Sequence, residues 1–441
     1  QNLRSHQSSR TATHRVDGVV EGAFVGHTTE GAADLLADLE ARGLVHDTTD
    51  RSDLAAALAA GPITLYHGID PSADSLHIGN FVGVLMLRRF QDAGHRVGVL
   101  VGGSTGMVGD PGGRSEERNL LDEESLATNV AGIRGQLERL VDFDRADGAE
   151  LVNNYDWTKG VGVLEFLRDV GKHATVNQMV ARDSVKSRMA SEHGISYTEF
   201  RYMLLQAFDY WWLHENKGVT LQIGGSDQWG NIAQGVDLIR RRSRSAVHAL
   251  TWPLITRADG QKFGKSVDGA VWLDPERTLP YEFHQYWLNT ADADVERFLL
   301  QLTLVPLDRV REVMATHAEA PEQRHAQRVL ADEVTALVHG PEEVTRANLA
   351  RALLFGGETP TGESLDALRG IVPETTVTPD AVQGDLLELL VATGLAKSKG
   401  DARRSLADNA FSVIGVKLDG RDQLAADDVI AGRLLLLLKG K

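Results

Sequence analysis

The stretch "DPSADSLHIGNFVGVLMLRRFQDAG" (residues 70–94) decides the fold. Apolar residues between 81 and 90 recur at helical spacing, and Gly94 follows them as a C-terminal stop signal. Before this helix, "LYHG" (65–68) indicates the end of a strand, and after it "VGVLVGG" (97–103) indicates a buried strand. A strand, a loop, a helix and a second strand in this order predict a βαβ unit.

The polar residues at the start of the predicted helix point to an anionic ligand. A helix N-terminus offers unpaired N–H groups and a positive partial charge, which favour phosphate. Gly79 lets a ligand approach the backbone closely, and His77 and Asn80 can both donate hydrogen bonds there. Taken alone, an N-terminal turn with incidental polar residues explains the pattern equally well.

Composition limits the class of protein. The chain has 441 residues, of which 42% are hydrophobic and 24% charged, as in a soluble globular protein of two or three domains. Without any cysteine, disulfides and thiolate metal sites are excluded. The leucine run at 434–438 is too short to span a bilayer. A net charge of −16 argues against a protein that coats nucleic acid indiscriminately, although it permits a local basic surface.

The pattern along the chain predicts an α/β protein in several parts. Strand-like and helical runs alternate first, which favours a doubly wound parallel sheet with helices on both faces, and helical runs then follow almost without interruption. A segment rich in Gly, Pro and Thr separates these parts from a small α/β block. The predicted boundaries are 1–31 for a disordered N-terminal extension, 32–255 for the sheet domain, 256–355 for the helical domain, 356–379 for a linker and 380–441 for the end block.

The end block has its own charge balance. It carries nine Lys/Arg and nine acidic residues, so the rest of the chain holds the whole net negative charge. Within it, "LAKSKGDARRSL" (395–406) gathers four cations against one acid at a predicted helix start. This is a modest candidate for phosphate contacts, and a solvated helix end is the simpler interpretation of these residues alone.

A second cationic feature lies in "ADGQKFGKSVDG" (258–269). Lys262 and Lys265, with glycines on both sides, form a flexible loop that could reach a polyphosphate. The glycines would let the loop close over a ligand only as charge develops. By itself, the stretch is more typical of a surface turn.

Three polar residues interrupt the apolar helix "FRYMLLQAFDYWWL" (200–213). Tyr202, Gln206 and Asp209 fall at i, i+4 and i+7, so they share one face. They form either a satisfied buried network or the wall of a pocket for an amine or a phenol.

The strand signal "LQIGGSDQWGN" (221–231) follows this helix directly. Its Gly-Gly turn places Asp227 and Gln228 at the carboxyl end of a strand. Ligands bind at that edge of open α/β sheets.

Together these motifs resemble the bacterial tyrosyl-tRNA synthetases, which are class I aminoacyl-tRNA synthetases, from about Ala33 to the C-terminus. "HIGN" is similar to the HIGH signature and "KFGKS" to the KMSKS signature, in the family's order. "GDPGGRSEER", "YMLLQAFD" and "QIGGSDQWGN" resemble the tyrosine enzymes rather than their tryptophan relatives. The end block resembles an S4-like RNA-binding domain, although "NAFSVIGVKL" departs from the usual Asn-Gly hairpin.

The resemblance implies a two-step reaction. Tyrosine and ATP would give tyrosyl-adenylate and pyrophosphate, and tyrosine would then pass to the 3′ end of tRNA(Tyr). Mg²⁺ would be bound through ATP rather than by a protein metal site. The family also implies a cytoplasmic homodimer with no membrane association.

The resemblance assigns roles residue by residue. For catalysis it implies His77, Asn80, Lys262, Lys265, Arg114 and Arg118. For tyrosine it implies Tyr66 and Asp209 at the phenol, Asp110, Tyr202 and Gln206 at the ammonium group, and Gln228 at the carboxylate. For ATP it implies Gly68, Asp70, Ser72, His77, Gly79, Asn80, Gly225, Asp227, Lys262, Lys265 and Ser266, and for tRNA Lys397, Lys399, Arg403 and Arg404.

Two positions depart from the family pattern. Asn80 replaces the second histidine of the HIGH signature, and its amide can still donate a hydrogen bond to the ribose end of ATP. Arg114 stands where the family often has lysine. We therefore expect activity to be retained.

Two other functions compete with this interpretation. A nucleotidylyltransferase shares HxGH-type chemistry, but the ammonium-binding trio and the basic tail count against it. A synthetase-like RNA-binding protein without catalysis is disfavoured by His77, Lys262 and Lys265. Adenylate formation with tyrosine separates both alternatives from a synthetase.

Overall fold

The fold is described from a computed structural model. The description covers residues 35–109, 122–145, 147–182, 185–186, 189–190, 194–258, 263–266, 269–355, 361–366, 368–371, 374–418 and 421–440, with backbone only for Glu123, Lys265, Ser266, Phe355 and Glu363. Over these ranges, the helices are all too short or too polar to cross a membrane.

A six-stranded sheet organises the first part of the described chain. Its strands are β1 (Asp47–Thr48), β2 (Thr64–Ile69), β3 (Arg96–Val101), β4 (Glu150–Asn153), β5 (Val219–Gly225) and β6 (His248–Trp252). Consecutive side chains of a strand point to opposite faces. In β2, Leu65 accordingly joins one apolar core and Tyr66 another, so both faces of the sheet are covered.

The strand order is β1-β6-β5-β2-β3-β4, and β2 through β6 are parallel. The predicted doubly wound sheet is therefore confirmed for five strands. The edge strand β1 is the exception, since it runs antiparallel to β6. It has two residues and pairs with β6, which is far from it in the chain, so no βαβ crossover joins these two strands and requires them to be parallel.

The helices of this part connect the strands. They are α1 (Leu35–Ala41), α2 (Arg51–Ala60), α3 (Ile78–Asp92), α4 (Gly103–Gly106), α5 (Glu123–Leu140), α6 (Tyr155–Thr158), α7 (Val163–Asp169), α8 (Val176–Val180), α9 (Tyr197–Phe200), α10 (Tyr202–Lys217) and α11 (Trp229–Arg242). Short 3₁₀ turns occupy Gly171–His173 and Ser226–Gln228. The predicted helix in 70–94 is α3, and Gly94 follows its end with φ of 88°.

The next part is helical, as the sequence predicts. It contains the small hairpin β7 (Lys265–Ser266) and β8 (Gly269–Ala270), then α12 (Pro280–Leu288), α13 (Asp292–Leu302), α14 (Leu307–Glu319), a 3₁₀ turn (Pro321–Gln323), α15 (His325–His339) and α16 (Pro341–Phe355). The stretch 295–317, in which apolar residues recur at helical spacing, is interrupted between α13 and α14. Thr303 is extended there, and Pro306 lacks the N–H that a continuing helix needs.

This helical part shares its core with the sheet. Phe283, Trp287 and Leu330 belong to the same buried cluster as Leu65 and Phe81. Arg89 of α3 donates to the Leu300 and Thr303 carbonyls at the end of α13. The helix that begins at the HIGN motif is therefore anchored in the helical part at its other end.

The part after α16, which includes the predicted linker and the end block, is small and contains both helices and strands. Its elements are α17 (Gly362–Asp366), α18 (Pro379–Gln383), α19 (Leu386–Ala392), α20 (Lys399–Ala407), β9 (Phe411–Val413), β10 (Val416–Lys417), a 3₁₀ turn (Ala426–Asp428) and β11 (Leu437–Lys439). Strands β10 and β11 flank β9 antiparallel on its two sides. The segment predicted as a linker includes α17, whose Leu365 packs with Leu353 and Leu436, while Asp366 pairs with Arg433.

Candidate active site

The site lies where the sheet reverses its winding direction. Strand β2 has β3 on one side and β5 on the other, and all three run the same way. The connections from β2 and from β5 leave toward opposite edges, which opens a crevice at the strands' carboxyl ends. Gly68 and Asp70 come from β2 and the loop after it, and Gly225 and Asp227 come from the end of β5.

The first turn of α3 lies at this crevice. His77 is the N-cap residue, and its Nδ1 accepts the Gly79 N–H at 3.0 Å. Because an amide only donates, the proton of the neutral imidazole lies on Nε2, which makes that atom a donor. The Asn80 Oδ1 accepts the His77 N–H at 3.2 Å, so the amide of Asn80 keeps its NH₂ group for a ligand.

Gly79 is required by the packing of this turn. A Cβ at position 79 would lie 2.7 Å from Cε1 of His77 and 2.9 Å from its Nδ1. No pair of carbon atoms tolerates such an approach, so any other residue would displace the imidazole. The glycine thus does more than admit a ligand, since it makes room for the histidine.

The KFGKS loop meets the HIGN turn through its backbone. Ile78 N donates to Val271 O at 3.0 Å, and Leu273 N donates to Leu76 O at 2.9 Å. Gly264, at φ of 87°, accepts from Val271 N and places its Cβ position 3.5 Å from Gly79 N. The backbone of Lys265 follows directly. The two signature motifs, which are separated by almost two hundred residues in the sequence, are therefore brought together.

A buried carboxylate lies at the other end of the crevice. Asp209 of α10 is 3% exposed and accepts hydrogen bonds from Asn154 Nδ2 at 2.9 Å and Trp157 Nε1 at 2.8 Å. Burial raises the pKa of Asp209 to about 7, the two hydrogen bonds lower it, and the charge of Asp70 raises it further. This carboxylate is a strong acceptor that water does not reach.

Tyr66 of β2 adds a hydroxyl beside this carboxylate. Its side chain is 2% exposed, and its OH finds no hydrogen-bond partner among the described residues. Burial, with the charge of Asp209, raises the pKa of Tyr66 well above its usual value, so the phenol stays protonated. An unpaired buried hydroxyl costs free energy, which a ligand atom could recover.

Tyr202 and Asp70 meet between the two ends. The Tyr202 hydroxyl lies 3.3 and 3.4 Å from the Asp70 carboxylate oxygens, and Thr105 Oγ1 donates to Asp70 at 3.1 Å. The buried Oε1 of Gln206 has no partner among the described residues. Both carboxylate and amide oxygens are acceptors that suit an ammonium group.

The remaining predicted contacts line the crevice at the turn after β5. Gln228 Nε2 lies 3.3 Å from Asp227 Oδ2, and Asn231 Nδ2 donates to Gln228 Oε1 at 3.2 Å. Ser72 is exposed in the loop after β2. Asp110, Arg114, Arg118 and Lys262, together with the side chains of Lys265 and Ser266, lie outside the described residues.

Several site residues were missed from the sequence. Asn154 and Trp157 come directly after β4 in "NNYDW", and Thr105 follows β3. Both places are carboxyl ends of parallel strands, so the rule that indicated Asp227 could have found them. A run of arginines at the end of α11, Arg240, Arg241, Arg242 and Arg244, was also overlooked.

The predicted tRNA patch carries less free charge than its sequence suggests. Lys399 forms ion pairs with Glu388 and Asp385 of the neighbouring helix region, which raise its pKa. Arg404 lies 3.8 Å from Asp401. The packing of α19 against α20 brings in acids that the local count of one acid left out.

No group of three or more metal-binding side chains occurs among the described residues.

Comparison with known proteins defines the class. Residues 58–356 match the family described as tRNA synthetases class I (W and Y), and residues 365–441 match the tyrosine–tRNA ligase SYY-like C-terminal domain. The resemblance found from the motifs is thereby confirmed, and the chain is an aminoacyl-tRNA synthetase of class I.

Individual relatives narrow this further. The tyrosine–tRNA ligase of Anaeromyxobacter dehalogenans is 50% identical over 412 residues, which is 92% of this chain and 97% of that protein. The enzyme of Mycobacterium tuberculosis is 48% identical over 413 residues, with the same coverage. A C-terminally truncated mitochondrial tyrosyl-tRNA synthetase from Aspergillus nidulans superposes with a TM-score of 0.67 at 31% identity, covering 74% of this chain and 98% of that one. The chain belongs to the tyrosine–tRNA ligase family.

Proposed function

We propose that this chain activates L-tyrosine with ATP to tyrosyl-adenylate and pyrophosphate and then transfers tyrosine to the 3′ end of tRNA(Tyr). One observation carries the amino-acid part of the proposal. The buried carboxylate of Asp209 lies beside Tyr66, whose buried hydroxyl has no hydrogen-bond partner in the described part of the chain. A phenol satisfies both groups at once, since its O–H donates to Asp209 and its oxygen accepts from Tyr66.

The same pair explains the rejection of phenylalanine. Without the substrate hydroxyl, the buried Tyr66 hydroxyl would keep its desolvation penalty, and Asp209 would accept only from Asn154 and Trp157. A preference for tyrosine over phenylalanine of about 10⁵-fold is a known property of tyrosyl-tRNA synthetases. The amino group of tyrosine would be held by Asp110, Tyr202 and Gln206, and its carboxylate would face Gln228.

Activation requires no covalent bond to the protein. A carboxylate oxygen of tyrosine attacks the α-phosphorus of ATP, the bond from that phosphorus to the bridging oxygen breaks, and pyrophosphate leaves. The protein contributes positioning and electrostatic stabilisation. His77 would donate through Nε2, and Lys262 and Lys265 would add positive charge, with Arg114 and Arg118 as a second cationic pair.

ATP would lie along the mouth of the crevice and arrive with its Mg²⁺. Exposed backbone at Gly68 and Gly79 permits close contact with its polar groups. Asn80 and Asp227 would hold the ribose end, and Asp70, Ser72, Gly225 and Ser266 complete the predicted contacts. Asp70 also contacts Tyr202, so it would link the nucleotide to the amino-acid pocket.

Transfer to tRNA requires a cationic surface. Lys397, Lys399, Arg403 and Arg404 remain the predicted contacts in the end block, and the arginine run of α11 is a second candidate. Replacing Lys397, Arg403 and Arg404 by glutamine should lower tRNA charging and flatten its salt dependence. Pyrophosphate exchange should stay unchanged, and an equal loss of both activities would make the patch part of the core.

An exposed apolar surface supports the proposed homodimer. On α7 and α8, Val163, Leu164 and Val176 are 73%, 83% and 63% exposed, and Leu167 is 49% exposed. Exposed apolar clusters of this kind are typical of protein interfaces. Leu164→Glu should shift the sedimentation behaviour toward a monomer, whereas an unchanged mass would remove α7 from the interface.

The central experiment measures ATP–pyrophosphate exchange with each of the twenty amino acids. Exchange with tyrosine alone is the expected result. Lys265→Ala should lower its rate by about 10²–10³-fold while tyrosine affinity changes little, because the lysine acts only as charge develops. Exchange that requires no amino acid would indicate a nucleotidylyltransferase, and no exchange at all would indicate an inactive RNA-binding relative.

A further inference from the structure

A chain of side-chain contacts starts and ends beside the catalytic histidine. Trp272 follows the β7–β8 hairpin and pairs with His77 in an isolated antiparallel bridge. The Trp272 ring lies 6.0 Å from the His77 ring between centroids, tilted by 58°. These rings belong to the two segments that carry the signature motifs.

Arg277 holds the tryptophan in place. Its guanidinium carbon lies 4.8 Å from the centroid of the Trp272 ring, within cation–π range. The same guanidinium forms an ion pair with Asp74, three residues before His77. The contacts thus run from Asp74 through Arg277 and Trp272 to His77, and both ends lie in one four-residue segment.

The backbone supports this arrangement. Trp272 N donates to Thr278 Oγ1 at 3.0 Å, and the turn that carries Arg277 is closed by bonds from Arg277 N and Thr278 N to Asp274 O. Arg277 is therefore presented from a fixed turn. The imidazole of His77 is held on one side by Gly79 N and packs against Trp272.

We propose that Trp272 is a positioning residue for adenylate formation, which together with Arg277 and Asp74 keeps the His77 imidazole oriented so that Nε2 meets the phosphates. The inference rests on the role of His77 proposed above. It adds that the segment after the KFGKS loop determines how the HIGN histidine is presented. Small errors in the placement of such a group are costly in rate.

The Asp74–Arg277 pair makes the inference testable without unfolding the protein. The side chains of Arg277 and Asp74 are 38% and 41% exposed, and ion pairs this exposed contribute little to folding stability. A matched control is the Arg134–Glu138 pair on α5, which is exposed to a similar degree and lies at 2.8 Å.

The experiment is a double-mutant cycle in the full chain, read by kcat and KM of tyrosine-dependent pyrophosphate exchange. Trp272→Leu should lower kcat by about tenfold or more, with KM for tyrosine within about twofold. In a His77→Ala background, the same change should cost less than about threefold, because the group that Trp272 orients is gone. Trp272→Phe should retain most activity, and Arg277→Gln should lower kcat by about threefold, while Arg134→Gln has no effect.

Each remaining outcome counts against the inference in its own way. An equal loss in both backgrounds would mean that Trp272 acts independently of His77, and the positioning role would be rejected. If His77→Ala itself leaves kcat unchanged, the role of His77 fails first and the inference fails with it. Should Trp272→Leu not fold, the cycle between Arg277→Gln and His77→Ala gives the same decision.

Discussion

The two ends of the crevice are built differently. At the phenol end, the buried side chains are Tyr66 of β2, Asp209 of α10, and Asn154 and Trp157 of α6 and its N-cap. At the phosphate end, His77 is partly exposed, and backbone hydrogen bonds between loops join the HIGN turn to the described part of the KFGKS segment. One end is a buried recognition pocket, and the other, here called the clamp, brings the two signature motifs together.

This difference follows from what each end must do. Discrimination between tyrosine and phenylalanine needs polar groups that have no alternative partner, so they must be kept from water. Stabilisation of a transferring phosphate needs charge and donors that meet it at the right moment, so loops suffice. Substitutions at the phenol end should therefore change selectivity, and those at the phosphate end should change rate.

The largest effect is expected for Asp209→Ala. The substrate hydroxyl loses a charged acceptor, and Asn154 and Trp157 lose their shared partner, so the tyrosine-to-phenylalanine ratio of kcat/KM should fall by about 10³-fold. Pyrophosphate exchange with both amino acids measures it. An unchanged ratio in a variant with native circular dichroism would move specificity to another residue.

A smaller effect is expected from the ionisation of Asp209. Its pKa is raised to about 7 in the folded protein, against 3.8 as the ordinary value. Between these pH values, the Asp209 carboxyl binds more protons in the folded than in the unfolded protein. Its contribution to the free energy of unfolding therefore falls as pH rises, and the fall is complete above pH 7. The slope is at most about 1.4 kcal/mol per pH unit.

The test compares the wild type with Asp209→Asn in urea denaturation from pH 5 to pH 8. All other groups are shared, so the difference in unfolding free energy isolates Asp209. The wild type should lose stability relative to the variant as pH rises. A constant difference would mean that the hydrogen bonds from Asn154 and Trp157 keep the carboxylate ionised throughout.

At the phosphate end, Gly79→Ala should lower the rate of exchange without changing the affinity for tyrosine. The added Cβ would collide with the His77 ring, whose nearest atom is 2.7 Å away, while the backbone there needs no positive φ. We expect kcat for exchange to fall by about 30-fold as the imidazole turns away, with tyrosine affinity retained. Equilibrium binding of tyrosine provides the second measurement. Loss of binding would show that the two ends are not separable.

Some features of both ends of the crevice follow from local sequence. The start of α3, the Gly-Gly turn after β5 and the shared face of Tyr202, Gln206 and Asp209 all depend on neighbours a few residues apart. Local spacing is enough to predict such features. Their functional roles stay predictions until the variants are measured.

Asn154 and Trp157 could be named as candidates from their place after β4, but their pairing with Asp209 could not be predicted from local spacing. Asn154 and Trp157 are 55 and 52 residues away in the chain, and only the order of the strands brings β4 beside the pocket. Similarly, Lys399 meets Glu388 because α19 packs against α20. Contacts of this kind are decided by tertiary packing, on which single-sequence patterns carry little information.

The smallest effect is expected at the helix that supports the phosphate end. Two glycines lie three residues apart on α5. A Cβ at Gly132 would lie 2.0 Å from the backbone oxygen of Asp74, whereas a Cβ at Gly135 would meet no atom within 4 Å. Gly135→Ala should therefore raise the free energy of unfolding by about 0.5–1 kcal/mol through helix propensity, with unchanged activity. Gly132→Ala makes the same chemical change but must push the Asp74 loop away, so it should lower kcat for exchange by a few-fold and lose the stability gain. Urea denaturation and exchange kinetics are measured for both variants. If the two have the same free energy of unfolding and the same kcat, the loop before His77 accommodates the added Cβ, and the clamp does not depend on α5.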